Sequence, residues 1–102
     1  MRKLIITRRK SPFGMLIPYY LIIGFEKATV DDSDKQYCIK NGETVTIDAE
    51  EVPAVIVVAA ETSTGVVFSK PVAIDGGTDD LTGTIITEYN ISKGSSYSLI
   101  ME

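Results

Sequence analysis

The chain reads as an antiparallel β-sandwich of about seven or eight strands, with a small closed β-barrel as the alternative. Three observations predict it. Apolar, β-branched stretches recur at spacings of about eight to twelve residues with turn signals between them. No stretch has the 3.6-residue periodicity of an amphipathic helix of useful length. Finally, 102 residues make one domain, residues 1–102, large enough to bury a core without disulfides or metals.

The first element, Arg2 to Arg9, alternates Leu4 and Ile6 on one face with Ile5 and Thr7 on the other. Lys10 to Gly14 forms a turn, since Pro12 fixes its own φ and Gly14 tolerates a positive one, so the next strand joins by a hairpin or by a corner between sheets. Met15 to Phe25 is the longest apolar run. It is well short of the roughly 20 residues of a membrane-spanning helix, and Pro18 with the Tyr19-Tyr20 pair argues against a signal peptide. The run is predicted to be a strand buried on both faces.

Glu26 to Lys35 is a polar loop holding Asp31, Asp32 and Asp34, with room for a short strand over 28–30. Gln36 to Lys40, Asn41-Gly42 and Glu43 to Asp48 predict a β-hairpin on a type I′ turn, with Tyr37, Ile39, Val45 and Ile47 inward and Thr44, Thr46 and Asp48 outward. Ala54 to Glu61 is the second strand buried on both sides, and it should lie centrally with the Met15 to Phe25 run. After a turn at Thr62-Ser63-Thr64, Gly65 to Ile74 places Val66, Phe68, Val72 and Ile74 on one face, with Pro71 marking an edge or a break into two strands. Asp75 to Asp80 is a glycine-containing acidic loop. Thr82 to Ile91, a turn at Lys93-Gly94-Ser95, and Ser96 to Met101 with Tyr97, Leu99 and Met101 on one face complete the strands.

Chemistry is constrained mostly by what is missing. The chain has no histidine, which removes Ser-His-Asp and Cys-His hydrolases and the usual zinc and copper sites. Cys38 is the only cysteine, so no internal disulfide forms, and without an imidazole to activate it the thiol reads as a small buried apolar residue. The missing disulfide and the lack of a convincing signal peptide favour a cytoplasmic location. The net charge of −4 divides into +5 over the first ten residues and −9 over the rest, which disfavours nucleic acid as a partner. The basic segment reads as a solvated strand end set against an acidic body, in preference to a patch for an acidic partner or an anionic membrane.

Candidate sites are few. Asp31, Asp32, Asp34, Asp75, Asp79 and Asp80 supply oxygen ligands of the kind calcium takes, although the EF-hand pattern fails where Gln36 and Tyr37 stand. The loop at Asp75 to Asp80 has no basic residue for a phosphate. Tyr19 and Tyr20 are candidate ligand contacts, for instance as a sugar platform, a role that the absence of tryptophan counts against. Carboxylate pairs such as Asp79 with Asp32, or Glu43 with Asp48, are what an enzyme reading would require.

The pattern Ile6-x-Arg8-x-Lys10-Ser11-x-Phe13-Gly14, then Tyr20 and Ile22-Ile23, then Ile39-x-Asn41-Gly42-Glu43-Thr44 resembles small bacterial β-sandwich domains of unknown function, similar to PEGA-type surface-layer and signalling-associated domains. The resemblance spans residues 4 to 60 and departs at Glu50-Glu51-Val52-Pro53 and at the longer Asp31 to Asp34 segment. It implies no enzymatic activity and transfers no functional residue. The expectation is therefore a non-enzymatic interaction module without cofactors, acting on a protein partner or on itself as a homodimer through a sheet edge or face, with a carbohydrate- or calcium-binding surface module as the alternative.

Overall fold

The computed structural model describes residues 1–12, 16–62, 65–92 and 94–102, with the backbone alone at 90, 94 and 95. Its described residues form nine strands and no helix: β1 (Arg2–Arg8), β2 (Tyr19–Phe25), β3 (Lys35–Ile39), β4 (Thr44–Ala49), β5 (Ala54–Thr62), β6 (Gly65–Phe68), β7 (Val72–Ile74), β8 (Leu81–Asn90) and β9 (Gly94–Met101). The first sheet has the order β4-β1-β8-β9. The second has β3-β2-β5-β6, with β7 also paired to β5. The two sheets make a sandwich and do not close into a barrel. All pairings are antiparallel except β1 with β8, which run parallel in the register Leu4↔Leu81 to Arg8↔Ile85.

Alternation along each strand builds the core. Leu4 and Ile6 of β1, Ile47 of β4, Ile85 of β8 and Leu99 of β9 meet Leu21 and Ile23 of β2, Ile39 of β3, and Ile56 and Val58 of β5. Both predicted central strands, β2 and β5, lie side by side, from Tyr19↔Ala60 to Phe25↔Ala54. Ala54 to Ala60 are buried without a break, as the continuous apolar run requires of a strand covered on both faces.

The basic segment is solvated only in part: Lys3, Arg9 and Lys10 are exposed, but Arg2 and Arg8 are not. Arg2 and Arg8 share the inward face of β1 with Leu4 and Ile6 and are buried at its two ends. Arg8, 1% exposed, lays its guanidinium 3.4 Å from the centroid of the Tyr19 ring and donates to the carbonyls of Ile17 at 2.8 Å and Ile39 at 3.1 Å. Tyr19 in turn meets Tyr97 edge-on at 4.9 Å and shares a 2.7 Å hydrogen bond between its hydroxyl and that of Thr87. Arg2 donates to the carbonyl of Asp75 at 2.6 Å. A guanidinium withdrawn from water needs acceptors, and these backbone carbonyls meet part of that demand through the terminal nitrogens, while Arg2 Nε stays buried without an acceptor.

Three local expectations are corrected. The strand in the first long apolar run begins only at Tyr19: Leu16 to Pro18 lie outside it, residues 28–30 are loop, and the expectations for Phe13, Gly14 and Met15 fall outside the described residues. The turns expected at Ser63-Thr64 and Lys93 also involve residues outside the described set.

Second, Asn41-Gly42 does not close a hairpin, because β3 pairs with β2 in one sheet and β4 with β1 in the other. The turn is real: Glu43 N–H donates to the Lys40 carbonyl at 2.9 Å, and the Glu43 carboxylate accepts from Lys40 N–H at 3.0 Å. Gly42 has φ 76° while Asn41 is not positive, which is the type II pattern and not the type I′ pattern of tight hairpins. It turns a corner between sheets.

Third, Val66 and Phe68 do not share a face with Val72 and Ile74. Phe68 pairs with Ala59 and Val72 with Ile56, so four steps on this edge oppose three on β5. That one-residue bulge reverses the faces. It is held by Ser69, whose N–H donates to the Val58 carbonyl at 2.8 Å while its hydroxyl accepts from Val58 N–H at 2.9 Å.

Replacing Ser69 by Ala leaves the buried Val58 N–H without its acceptor. The expected loss is about 1–3 kcal/mol in urea denaturation. Ser98→Ala, on the exposed face of β9, should change stability by less than about 0.5 kcal/mol.

Candidate functional site

The outer face of the second sheet is unusually apolar for a surface turned away from the core. Strand alternation directs Tyr20, Ile22 and Gly24 of β2, Val55, Val57, Ala59 and Glu61 of β5, and Val66 and Phe68 of β6 to it. Ile22, Val55, Val57 and Ala59 are buried there, while Val66 is 50% and Phe68 60% exposed.

The segment after β2 folds back over this face. Glu26 starts it in the left-handed region with φ 56°, its N–H on the Pro53 carbonyl at 2.8 Å. The Lys27 methylenes then cross so close to β2 that a Cβ at Gly24 would lie 2.8 Å from Lys27 Cδ, so any larger residue there would have to displace the lysine stem. The Lys27 ammonium sits 2.8 Å from both Asp31 Oδ2 and Asp34 Oδ2. The Asp31 carboxylate also accepts from Ser33 N–H at 2.8 Å, and these bonds, led by Lys27, hold it well below the usual aspartate range.

A groove of about 520 Å³ results. Its floor is Ile22 and Ala59, its rim includes Tyr20, Phe68 and Val66, and Asp31, Asp32 and Glu61 supply three carboxylates. This size falls within the range of ligand and peptide clefts.

The predicted candidates separate. Tyr19 is a core residue packed beneath Arg8, whereas Tyr20, its neighbour of opposite parity, lines the groove. Asp31 and Asp32 line the groove, and Asp34 is held with Asp31 by Lys27, a lysine ammonium where a calcium ion would need open oxygens. Asp75 and Asp79 border a different depression of about 320 Å³, beside Arg2. Asp80 accepts from Lys3 N–H at 2.7 Å. Among the described residues no three His, Cys, Asp or Glu side chains gather as a metal site.

The carboxylate pairs separate likewise. Asp79 and Asp32 occupy different depressions, Asp48 pairs with Lys3, and Glu43 closes its own turn. Cys38, expected to be buried, is exposed: it lies opposite Tyr20, with the parity that faces away from the core. No helix among the described residues is long and apolar enough to cross a membrane. Phe68 and Val66 were legible as strand residues, but their exposure depends on the bulge at Ser69, for which the sequence offers no signal beyond Pro71.

The Lys27 clamp is testable by titration. A carboxylate held below its unfolded value near about 3.9 contributes stability that is present above that pH and lost as pH falls through the folded value. Carboxyl NMR should show Asp31 still ionised at about pH 3 and, in Lys27→Met, titrating at a clearly higher pH, although the Ser33 bonds that remain keep it below the ordinary aspartate value. A scan of the chain against protein-family models matches none, and searches of curated proteins and of solved structures find no match either.

Proposed function

We propose that this protein is a non-enzymatic interaction module that contacts a protein partner through the outer face of its second sheet. The observation that carries the reading is Phe68, a large aromatic side chain 60% exposed at the mouth of a groove with an apolar floor. Scattered single apolar residues on a surface need no explanation, but Phe68, Val66, Tyr20, Ile22 and Ala59 are contiguous. Aromatic anchors beside a desolvated floor are where binding energy concentrates in protein interfaces. The PEGA-like pattern of turns and strands, and the bacterial origin that goes with it, belong to the same reading and add no residue to it.

Photo-crosslinking tests this. With benzoylphenylalanine in place of Phe68, extract of the cells that make the protein should yield a discrete adduct. The same group in place of Ile100, equally apolar and 50% exposed on β9, should not. Identical adducts from both positions, or none from either, would sink the reading.

A carbohydrate is the second reading, because Tyr20 shares the groove with Asp31, Asp32 and Gln36, an aromatic face beside polar groups. A sugar at about 100 times its Kd stabilises the fold by about 2.7 kcal/mol. A panel of mono- and oligosaccharides at millimolar concentration should then leave the melting temperature flat if a protein is the partner. A reproducible rise of several degrees with one sugar, lost in Tyr20→Ala, would put the carbohydrate first.

A further inference from the structure

We infer that the partner docks as an extended segment that adds to β6 as a further strand and carries basic side chains towards the groove. This rests on the contact reading above and specifies its geometry. β6 ends the second sheet, with β5 on one side and no strand on the other among the described residues. Ser69 directs its N–H to Val58 of β5, so along the strand Val67 shares that direction while Val66 and Phe68 turn their N–H and C=O groups to the open side. The two residues with free backbone groups are thus the same two whose side chains stand exposed at the groove. An added strand would pair with their backbone and lay alternate side chains beside Phe68 and Val66, the arrangement in which main-chain bonds give affinity and alternate pockets give specificity.

Charge selects the occupant. Asp32 and Glu61 line the groove beside Asp31, whose carboxylate is already paired with Lys27, and Glu61 stands directly across from Val66 on β5. A second copy pairing β6 with β6 about a two-fold axis would bring these carboxylates towards their own counterparts, which is unfavourable. A segment with lysine or arginine at alternate positions meets complementary charge instead.

The test selects binders to the immobilised full chain from a displayed library of random ten-residue peptides, and the most enriched peptide is synthesised. Three results are expected. Enriched sequences alternate apolar and basic residues. Methylating the backbone nitrogens of one parity weakens binding at least about tenfold, while methylating the other parity leaves it unchanged. Binding falls by a similar factor in Phe68→Asp and in the double variant Asp32→Asn, Glu61→Gln, with Val66→Glu as a second groove variant should Phe68→Asp melt early.

Peptides that need Phe68 but tolerate methylation at either parity, or that are acidic, overturn the strand geometry and leave the contact reading standing. Peptides indifferent to Phe68 and Val66 overturn both. An empty selection overturns the strand geometry, and the crosslink at position 68 then decides the contact reading alone. A dimer seen by light scattering and abolished by Phe68→Asp overturns the basic partner in favour of a second copy.

Discussion

The guanidinium of Arg8 joins the two sheets at one end of the sandwich. It belongs to the first sheet, lies on the face of Tyr19 in the second, and binds carbonyls at the entrance to β2 and the end of β3. Tyr19 returns the connection through its edge contact with Tyr97 and its hydroxyl bond to Thr87. Burial lowers the Arg8 pKa from the ordinary guanidinium value and raises that of the Tyr19 phenol, so the pair holds one charged and one neutral group in contact. A cation over an aromatic face gains most where water is excluded. The position of β2, and with it the side to which Tyr20 points, follows from this anchor.

Much of the fold was readable because it depends on alternation alone. Ile39 and Ile47 are buried, and Thr44, Thr46 and Asp48 exposed, as the pattern around Asn41-Gly42 required. That pattern is a property of each strand's own pleat and holds whichever sheet the strand joins. The pairing was not readable. A turn fixes a local reversal, but β3 pairs with β2 in one sheet and β4 with the distant β1 in the other, a choice of partner that the turn itself does not encode.

The arginines and the groove were hidden for related reasons. Arg2 and Arg8 have the same parity as Leu4 and Ile6, but a charged side chain at a strand end is ordinarily solvated, and only the loop carbonyls supplied by distant segments make burial tolerable. Tyr19 and Tyr20 are equal candidates for a contact in the sequence, but only Tyr20 stands at the groove, while Tyr19 lies in the core. Register decides between two adjacent tyrosines, since one residue's shift exchanges every side chain between faces.

Ser69 has a mechanical consequence. On either side of it the same edge of β5 carries two short strands of different character, since β7 sends Ile74 into the core while β6 sends Phe68 outward. The bulge separates the two. A pull applied at the Gly65 end would peel β6 away pair by pair as far as Val58, where the two bonds to Ser69 arrest the tear before it reaches Ile74. The edge is thus divided into a compliant flap and a clamped one, and deformation of the first need not loosen the second.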